Sequence, residues 1–333
     1  KPSKRKRFVV TREHDYALAG VSNELILASK NNPQALADAA MEAVEDAMQQ
    51  IMLSTAKKIL RDGTGGLGTI SSGSSVGATS ITLTNIEDII NFEVDDVITL
   101  SSAAASGARA GTATITAIDR DAGTMTFGAA LNTYIVAAAT GDFIQIEGDF
   151  NDGLLGIDGW NPYTAPGATA FYGIDRTVDL VRLSGCRLAG TGRPLEEAWV
   201  RLMTRTCREG GRPGFGVCNP ARWEELEISL GSARQYVDVE VGNFGFSALK
   251  LNSPKGPVAI MSDPFMQADL IRVFNNEKHE MKTLTGFPIL LDMDTLKMVR
   301  TADDDSNELR VGYYGNYGVH RLPDFGVSLV STS

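Results

Sequence analysis

Histidine and cysteine are scarce in this chain, three of each among 333 residues, and neither is spaced for chemistry. Cys186, Cys207 and Cys218 are odd in number and include no CxxC pair. That excludes a disulfide framework or a zinc knuckle and predicts free thiols in a reducing compartment. His14, His279 and His320 stand far apart without ligand spacing, as expected of surface or satisfied core histidines. Although 43% of the residues are hydrophobic, no uninterrupted apolar run reaches bilayer length, so no membrane span is expected. No G-x-S-x-G elbow lies between a strand and a helix, and the D-x-D-x-D-G calcium loop is missing. The carboxylates from Asp303 to Asp305 fall in a polar turn, where solvation explains them. No catalytic residue, cofactor site or metal site is expected. The sequence opens at Lys1, with no initiator methionine and no apolar signal core behind KPSKRKR, which predicts a processed chain or one lacking part of its length.

What is present is an uneven charge. The net charge is −10, and the stretch from Gly73 to Phe150 holds ten acidic residues against Arg109 and Arg120, a local net of −8. The opening has the opposite sign, with Lys1, Lys4, Arg5, Lys6, Arg7 and Arg12 within a dozen residues. Such a cluster suits nucleic acid or an acidic protein surface, and equally a solvated basic end, since no stacking aromatics interleave it.

Periodicity divides the chain. Residues 7–18, RFVVTREHDYAL, start with a β-branched and aromatic run that favours a strand. The stretch from Asn32 to Asp62 reads as one long helix. Asn32 can cap it, and Pro33 fits the first helical position, where its missing N–H costs nothing. Leu36, Ala40, Met41, Val44, Met48, Ile51, Met52, Thr55 and Ile59 recur at three- and four-residue steps, giving one apolar stripe. Lys57, Lys58 and Arg61 complement its C-terminal dipole. The glycine-rich RDGTGGLGTISSG that follows looks like a phosphate loop. A phosphate loop, however, needs a strand before the glycines, a helix after them and a GKS or GKT lysine. Here the glycines end a helix.

From residue 74 to 148 the runs TSITLTN, DDVITLSS, GTATITAID, GTMTFGA and DFIQIEG alternate apolar and polar residues, predicting a small barrel or sandwich of short strands. Its aspartates read as turn and solubility residues. Beyond Asn151 the pattern is α+β. RPLEEAWVRLMTRTCREG and ARWEELEISL read as helices and GFGVCNP as a short buried strand. SALKLNSPKGPVAIMSDP reads as a hairpin turning at Ser253 to Gly256. ADLIRVFN and ILLDMDTLKMV read as short pieces, and ELRVGYYGNYGVHRLPDFGVSLV as two long strands.

Taken in order, RFVVTREHDYALAGVSNELILAS, the long helix ending LRDGTGGLGTI, TLTNIEDIINFEVDD, TAIDRDAGTMTF and the closing ELRVGYYGNYGVHRLPDFGVSLV resemble tailed-bacteriophage major capsid proteins of the HK97-like fold. The resemblance implies an α+β fold with a peripheral domain carrying a long spine helix, an axial domain, and an inserted all-β domain. Residues 1–32 would belong to an extended loop and its lead-in strand, and 33–72 to the spine helix. Residues 73–148 would be the inserted domain, 149–192 the connection into the axial domain, 193–305 that domain, and 306–333 closing strands of the peripheral domain. In that family an N-terminal arm and the outgoing strand of the loop come first, and they have no counterpart here. No lysine–asparagine cross-linking site is matched.

The implied function is structural: self-assembly into the icosahedral shell around a phage genome. Implied partners are further copies of the chain in pentamers and hexamers, with portal, scaffold or decoration proteins besides. DNA would be met only non-specifically on the inner face. The implied location is the virion, with assembly in the host bacterial cytoplasm. Lys4, Arg5, Lys6 and Arg7 are the candidate subunit-interface residues. Two other readings stay open. One is a related shell, an encapsulin-type compartment or a gene-transfer particle; the other is a protein that binds ligand through the β-rich block.

Overall fold

The computed structural model describes residues 7–24, 33–231, 236–241, 244–284, 286–291, 299–300 and 306–330. The expected first strand starts six residues late: residues 7–12 are extended coil, and β1 runs Glu13–Ser22. Its odd-numbered side chains turn inward, ending in the buried Ala19 and Val21. The long helix α1 spans Pro33–Ile59 and lies across β1 and the distant β18, Ser306–Val319. Its buried line is Ala47, Ile51 and Thr55, flanked by the half-buried Ala43, Val44 and Met48. Met41 and Met52, expected in that stripe, are exposed, because a 100° advance per residue carries them off a face this narrow. The side chains of Leu36 and Ala40 lie outside the described residues.

After the helix the chain turns at Gly63, whose φ of +85° is the left-handed conformation glycine tolerates best. The strand that follows is β2, Gly68–Thr69, so the glycines lead out of a helix and do not open one. The order is β3, Ser80–Thr82; β4, Val97–Ala103; β5, Ser106–Ala108; β6, Ala113–Asp119; β7, Thr124–Phe127; α2, Leu131–Tyr134; and β8, Phe143–Ile146. All five alternating runs contain one of these strands, which form a sheet in the order β2-β8-β4-β6-β7-β3 with β5 on β4. Ile70, Ile81, Phe92, Ile98, Leu100, Ile115, Met125 and Ile144 fill a core of its own. The chain enters and leaves at one place: Leu67 N–H donates to Ile144 O at 2.9 Å, and Asn151 N–H to Thr64 O at 3.1 Å.

A short helix α3, Ile157–Trp160, opens the rest, followed by α4, Leu180–Ser184; β9, Cys186–Ala189; α5, Leu195–Arg208; β10, Phe215–Cys218; and α6, Pro220–Leu230. Asn219 caps α6 by accepting from Ala221 N–H at 3.0 Å. Then come β11, Tyr236–Val241; β12, Phe244–Ser253; β13, Gly256–Ser262; β14, Leu270–Phe274; β15, His279–Thr283; β16, Ile289–Leu290; and β17, Val299–Arg300. The hairpin β12–β13 closes with Ser253 opposite Gly256, as its sequence predicts. Residues 292–298 and the Asp303–Asp305 turn lie outside the described residues.

The closing stretch does not form two long strands. β18 has 14 residues, but β19, Gly326–Leu329, has only four, and the two enter different sheets. β18 pairs with β1 from Ser306 to Gly315 and on its other edge with β15, β16 and β17. β19 sits between β14 and β9 in a mixed sheet ordered β11-β12-β13-β10-β14-β19-β9. Helix α5 covers one face of that sheet with Ala198, Trp199, Leu202 and Met203, spaced at three and four residues. Val217, Leu270, Phe274 and Val327 join the core shared with α1 and β18.

One buried cation ties the two sheets. Arg272 of β14 is 1% exposed; its guanidinium pairs with Asp158 of α3 and donates to Asn161 O at 2.8 Å. Next to it, Trp160 Nε1 donates to Tyr317 O of β18 at 3.0 Å. Gly156 permits the approach, since a Cβ there would lie 2.2 Å from Ile59 O at the end of α1.

Ile51, 2% exposed, sits where α1 meets this core. Ile51→Asp would bury an unpaired carboxylate at a cost of about 4 kcal/mol or more. The expected outcome is insoluble or unfolded subunit by circular dichroism, whereas Met52→Asp, on the exposed face, should fold normally.

Candidate assembly surfaces

The described residues contain no cluster of three or more histidine, cysteine or carboxylate side chains placed to hold a metal ion, and no helix long and apolar enough to cross a membrane. All three cysteines are free and buried. Burial pushes the Cys186 thiol up to about 11 and the Cys218 thiol to about 12. They are therefore inert thiols at neutral pH. His279 is held below its ordinary value by burial alone. His14 stacks against Tyr16 and Tyr314, and His320 pairs with Glu280 at 2.9 Å.

Polar chemistry concentrates where the β-rich block meets the rest. Lys58, at the end of α1, donates at 2.9 Å both to Asp15 of β1 and to Asp149 just beyond β8. Ser54 donates to the same Asp15 oxygen at 2.7 Å. Lys57 donates to Asn91 O at 2.8 Å, and Arg61 pairs with the buried Asp88 at 3.1 Å. Read along the sequence, these three cations only complement a helix terminus. Their bonds to residues 15, 88, 91 and 149 depend on chain crossings that spacing does not encode. Burial alone would lower the Lys58 ammonium, but Asp15 and Asp149 outweigh it and hold it above its ordinary 10.5. Burial raises the Asp149 carboxyl above its ordinary 3.8 against the pull of Lys58.

Two solvent-facing surfaces remain. The first is an open groove of about 1450 Å³ between residues 7–10, the region of α4, and the end of β18. Arg7, the one described residue of the expected interface cluster, lines it and is exposed. Lys4, Arg5 and Lys6 lie outside the described residues. Arg182, Lys282 and Arg321 add positive groups that composition did not single out, and His320 and Asp179 also line the groove, Asp179 capping the helix that carries Arg182. Lys282 and His320 share Glu280, and Arg321 lies 3.6 Å from Asp324. Arg7 and Arg182 have no ion pair among the described residues. The second surface is a crevice where Glu87, Asp121 and Arg120 of the β-rich block face Pro220 and Pro264, with Glu93 on Arg120, Asp96 accepting from Glu93 N–H and Asp119 accepting from Asp121 N–H beside it. Only Glu93 is paired with that arginine, at 2.7 Å.

Open surfaces that carry charge of opposite sign are suited to contact with other chains. The model of the SU10 major capsid protein family matches residues 154–325, just over half of the chain. The chain belongs to that family. It is a structural protein of a phage capsid shell, and self-association follows from that role. Among solved structures, the procapsid of satellite phage P4 with its size-determination protein is similar over 100% of this capsid chain and 76% of that one, at 7% identity and a TM-score of 0.39. The SrpI encapsulin complex of Synechococcus elongatus is similar over 42% of this chain and 49% of its own, at 13% identity and a TM-score of 0.28. The major capsid and decoration proteins of phage G give 41%, 45%, 12% and 0.25 in the same order. No curated protein matches.

Lys58 makes the junction testable in this capsid subunit. Lys58→Met would leave two half-buried carboxylates facing each other, at a cost of about 3 kcal/mol at neutral pH. Because the lysine's folded pKa is raised, its contribution is complete below pH 10.5 and is lost as pH rises through the folded value. Denaturant unfolding should therefore separate the two proteins at pH 7 and bring their midpoints together in strong alkali. Equal midpoints at pH 7 would contradict the role given to Lys58.

Proposed function

We propose that this chain assembles through pentamers and hexamers into the closed icosahedral shell that encloses the DNA of a tailed phage, with an HK97-like fold and no enzymatic activity. The observation that carries the reading is the family match over residues 154–325. In this reading α1 is the spine helix, the β1–β18 sheet is the core of the peripheral domain, and the mixed sheet with α5 and α6 is the axial domain. Residues 1–32 supply part of the extended loop, and Lys4, Arg5, Lys6 and Arg7 lie at a subunit interface. Assembly takes place in the host cytoplasm and the product is the virion capsid. Electron microscopy of the purified protein tests this: closed shells are expected, and nucleic-acid-filled shells from infected cells. Unassembled subunits, or empty shells loaded with an enzyme, would refute it.

The β-rich block is, on the same reading, a domain inserted after the spine helix. Its separate core and its adjoining ends, joined by the bond from Asn151 N–H to Thr64 O, support this. Inserted units are tolerated where their ends lie together. Its net charge of −8 disfavours a place beside packaged DNA, whose phosphates would repel it, so it stands on the outer face. Replacing Gly66 to Gly148 with a short glycine-serine linker should leave a folded subunit, because Arg61 and Lys57, which lose partners, can reach solvent. Loss of the folded circular dichroism spectrum, or a cryo-EM map with the block on the DNA side, would refute the insertion.

A further inference from the structure

The two charged surfaces carry opposite signs and share no lining residue. No hydrogen bond or ion pair connects them within the described subunit. The groove presents Arg7 and Arg182 without ion partners, next to the exposed Val9 and Val178. The acidic end presents Glu87 and Asp121 without ion partners in a crevice shared with the exposed Ile86 and with Pro220 and Pro264, and Val94, next to Glu93, is exposed too. Each surface thus carries an excess of one sign beside two exposed aliphatic side chains, the groove's single lining carboxylate, Asp179, being outnumbered by Arg7, Arg182, Lys282 and Arg321.

We infer that the acidic end of the β-rich block of one subunit docks into the Arg7–Arg182 groove of a second copy of the chain. The inference rests on the capsid reading, because only a many-copy assembly supplies both surfaces in equal number. Charge complementarity selects the occupant. Uncompensated guanidinium groups attract carboxylates, and matched signs suppress wrong registers during assembly. A phosphate backbone would also be attracted, but of the two aromatic rings in the groove Trp160 is buried and Phe8 packs edge-on against it and Phe171, so neither presents a free face to a base. The exposed apolar side chains of the lining are Val9 and Val178, suited to Ile86 and Val94. Docking would bury those four side chains and bring Arg182 and Arg7 to Glu87 and Asp121. It would also give the inserted block a role beyond decoration of the surface, namely joining neighbouring subunits by a contact that salt weakens.

The test is a charge exchange. Three proteins are compared with the parent chain: Arg7→Glu with Arg182→Glu, Glu87→Lys with Asp121→Lys, and all four substitutions together. Particle yield is read by sedimentation and electron microscopy, and thermal melts of unassembled subunit confirm folding. Each reversed pair should lower particle yield about tenfold, with the larger loss at low ionic strength. The fourfold protein should recover to within about threefold of the parent. Neutral variants, Arg182→Gln and Asp121→Asn, should each give a smaller loss in the same direction and cover the case in which a reversal fails to fold. Unchanged yield from either reversed pair would overturn the inference. So would a folded fourfold protein that does not recover, or a groove reversal that lowers only the packaged nucleic acid. A parent chain that forms no shells at all would instead remove the capsid reading, and this inference with it.

Discussion

The buried guanidinium of Arg272 is the constraint around which the two sheets are arranged. It projects from β14, an interior strand of the mixed sheet, with β10 on one side and β19 on the other. Taking a cation out of water costs several kcal/mol unless its hydrogen-bonding capacity is met. Asp158 and Asn161 O satisfy its two terminal nitrogens, leaving only Nε without a partner, and both lie in the α3 turn. That turn is fixed in place by Trp160 on Tyr317 O and by Asn161 on Ser184 O at 2.7 Å. The same few residues therefore hold β14, β18 and the start of β9 in one arrangement. Trp160 also packs edge-on to Phe8 and Phe171, which brings the segment ahead of β1 against the turn.

The second organising feature is how charge is distributed. At the junctions between elements the buried or half-buried cations are ion-paired: Arg61 to Asp88, Lys58 to Asp15 and Asp149, Arg272 to Asp158. Surface charge is left segregated, acidic on the β-rich block and basic around the groove. A monomer gains nothing from that segregation, since like charges gathered together repel. In a subunit that meets copies of itself, the same segregation becomes a means of choosing orientation. Rigid elements carry both surfaces: the acidic loops are tethered to a closed β core, and the groove is walled by α4 and the end of β18.

Much of this architecture is legible in the sequence because it is local. The 3.6-residue period placed α1 and α5, with Pro33 and Asn219 marking where helices begin, and the two-residue period placed the strands of the β-rich block. The uneven charge was legible too, in the clustering of acidic residues between Gly73 and Phe150. Where local signals failed, a tertiary contact had overruled them. RFVVTR has the composition of a strand, yet Phe8 packs against Trp160 and pairing begins only at Glu13, opposite Gly315. Met41 and Met52 match the helical period but lie beyond the strip that β1 and β18 can cover.

The sequence by itself determined the long helix, the alternating strands of the β-rich block, the helix-ending role of the glycines after Asp62, and the sign of each charged region, since each follows from neighbours a few residues apart. Only the tertiary structure decided which elements meet. That Lys58 bridges residues 15 and 149, that Arg7 and Arg182 line one groove, and that β18 and β19, six residues apart, enter different sheets are all consequences of long-range closure. The physical reason is that pairing partners in a sheet are chosen by burial of whole faces and by satisfaction of buried polar groups such as Arg272, and neither quantity is encoded in any short window of the chain.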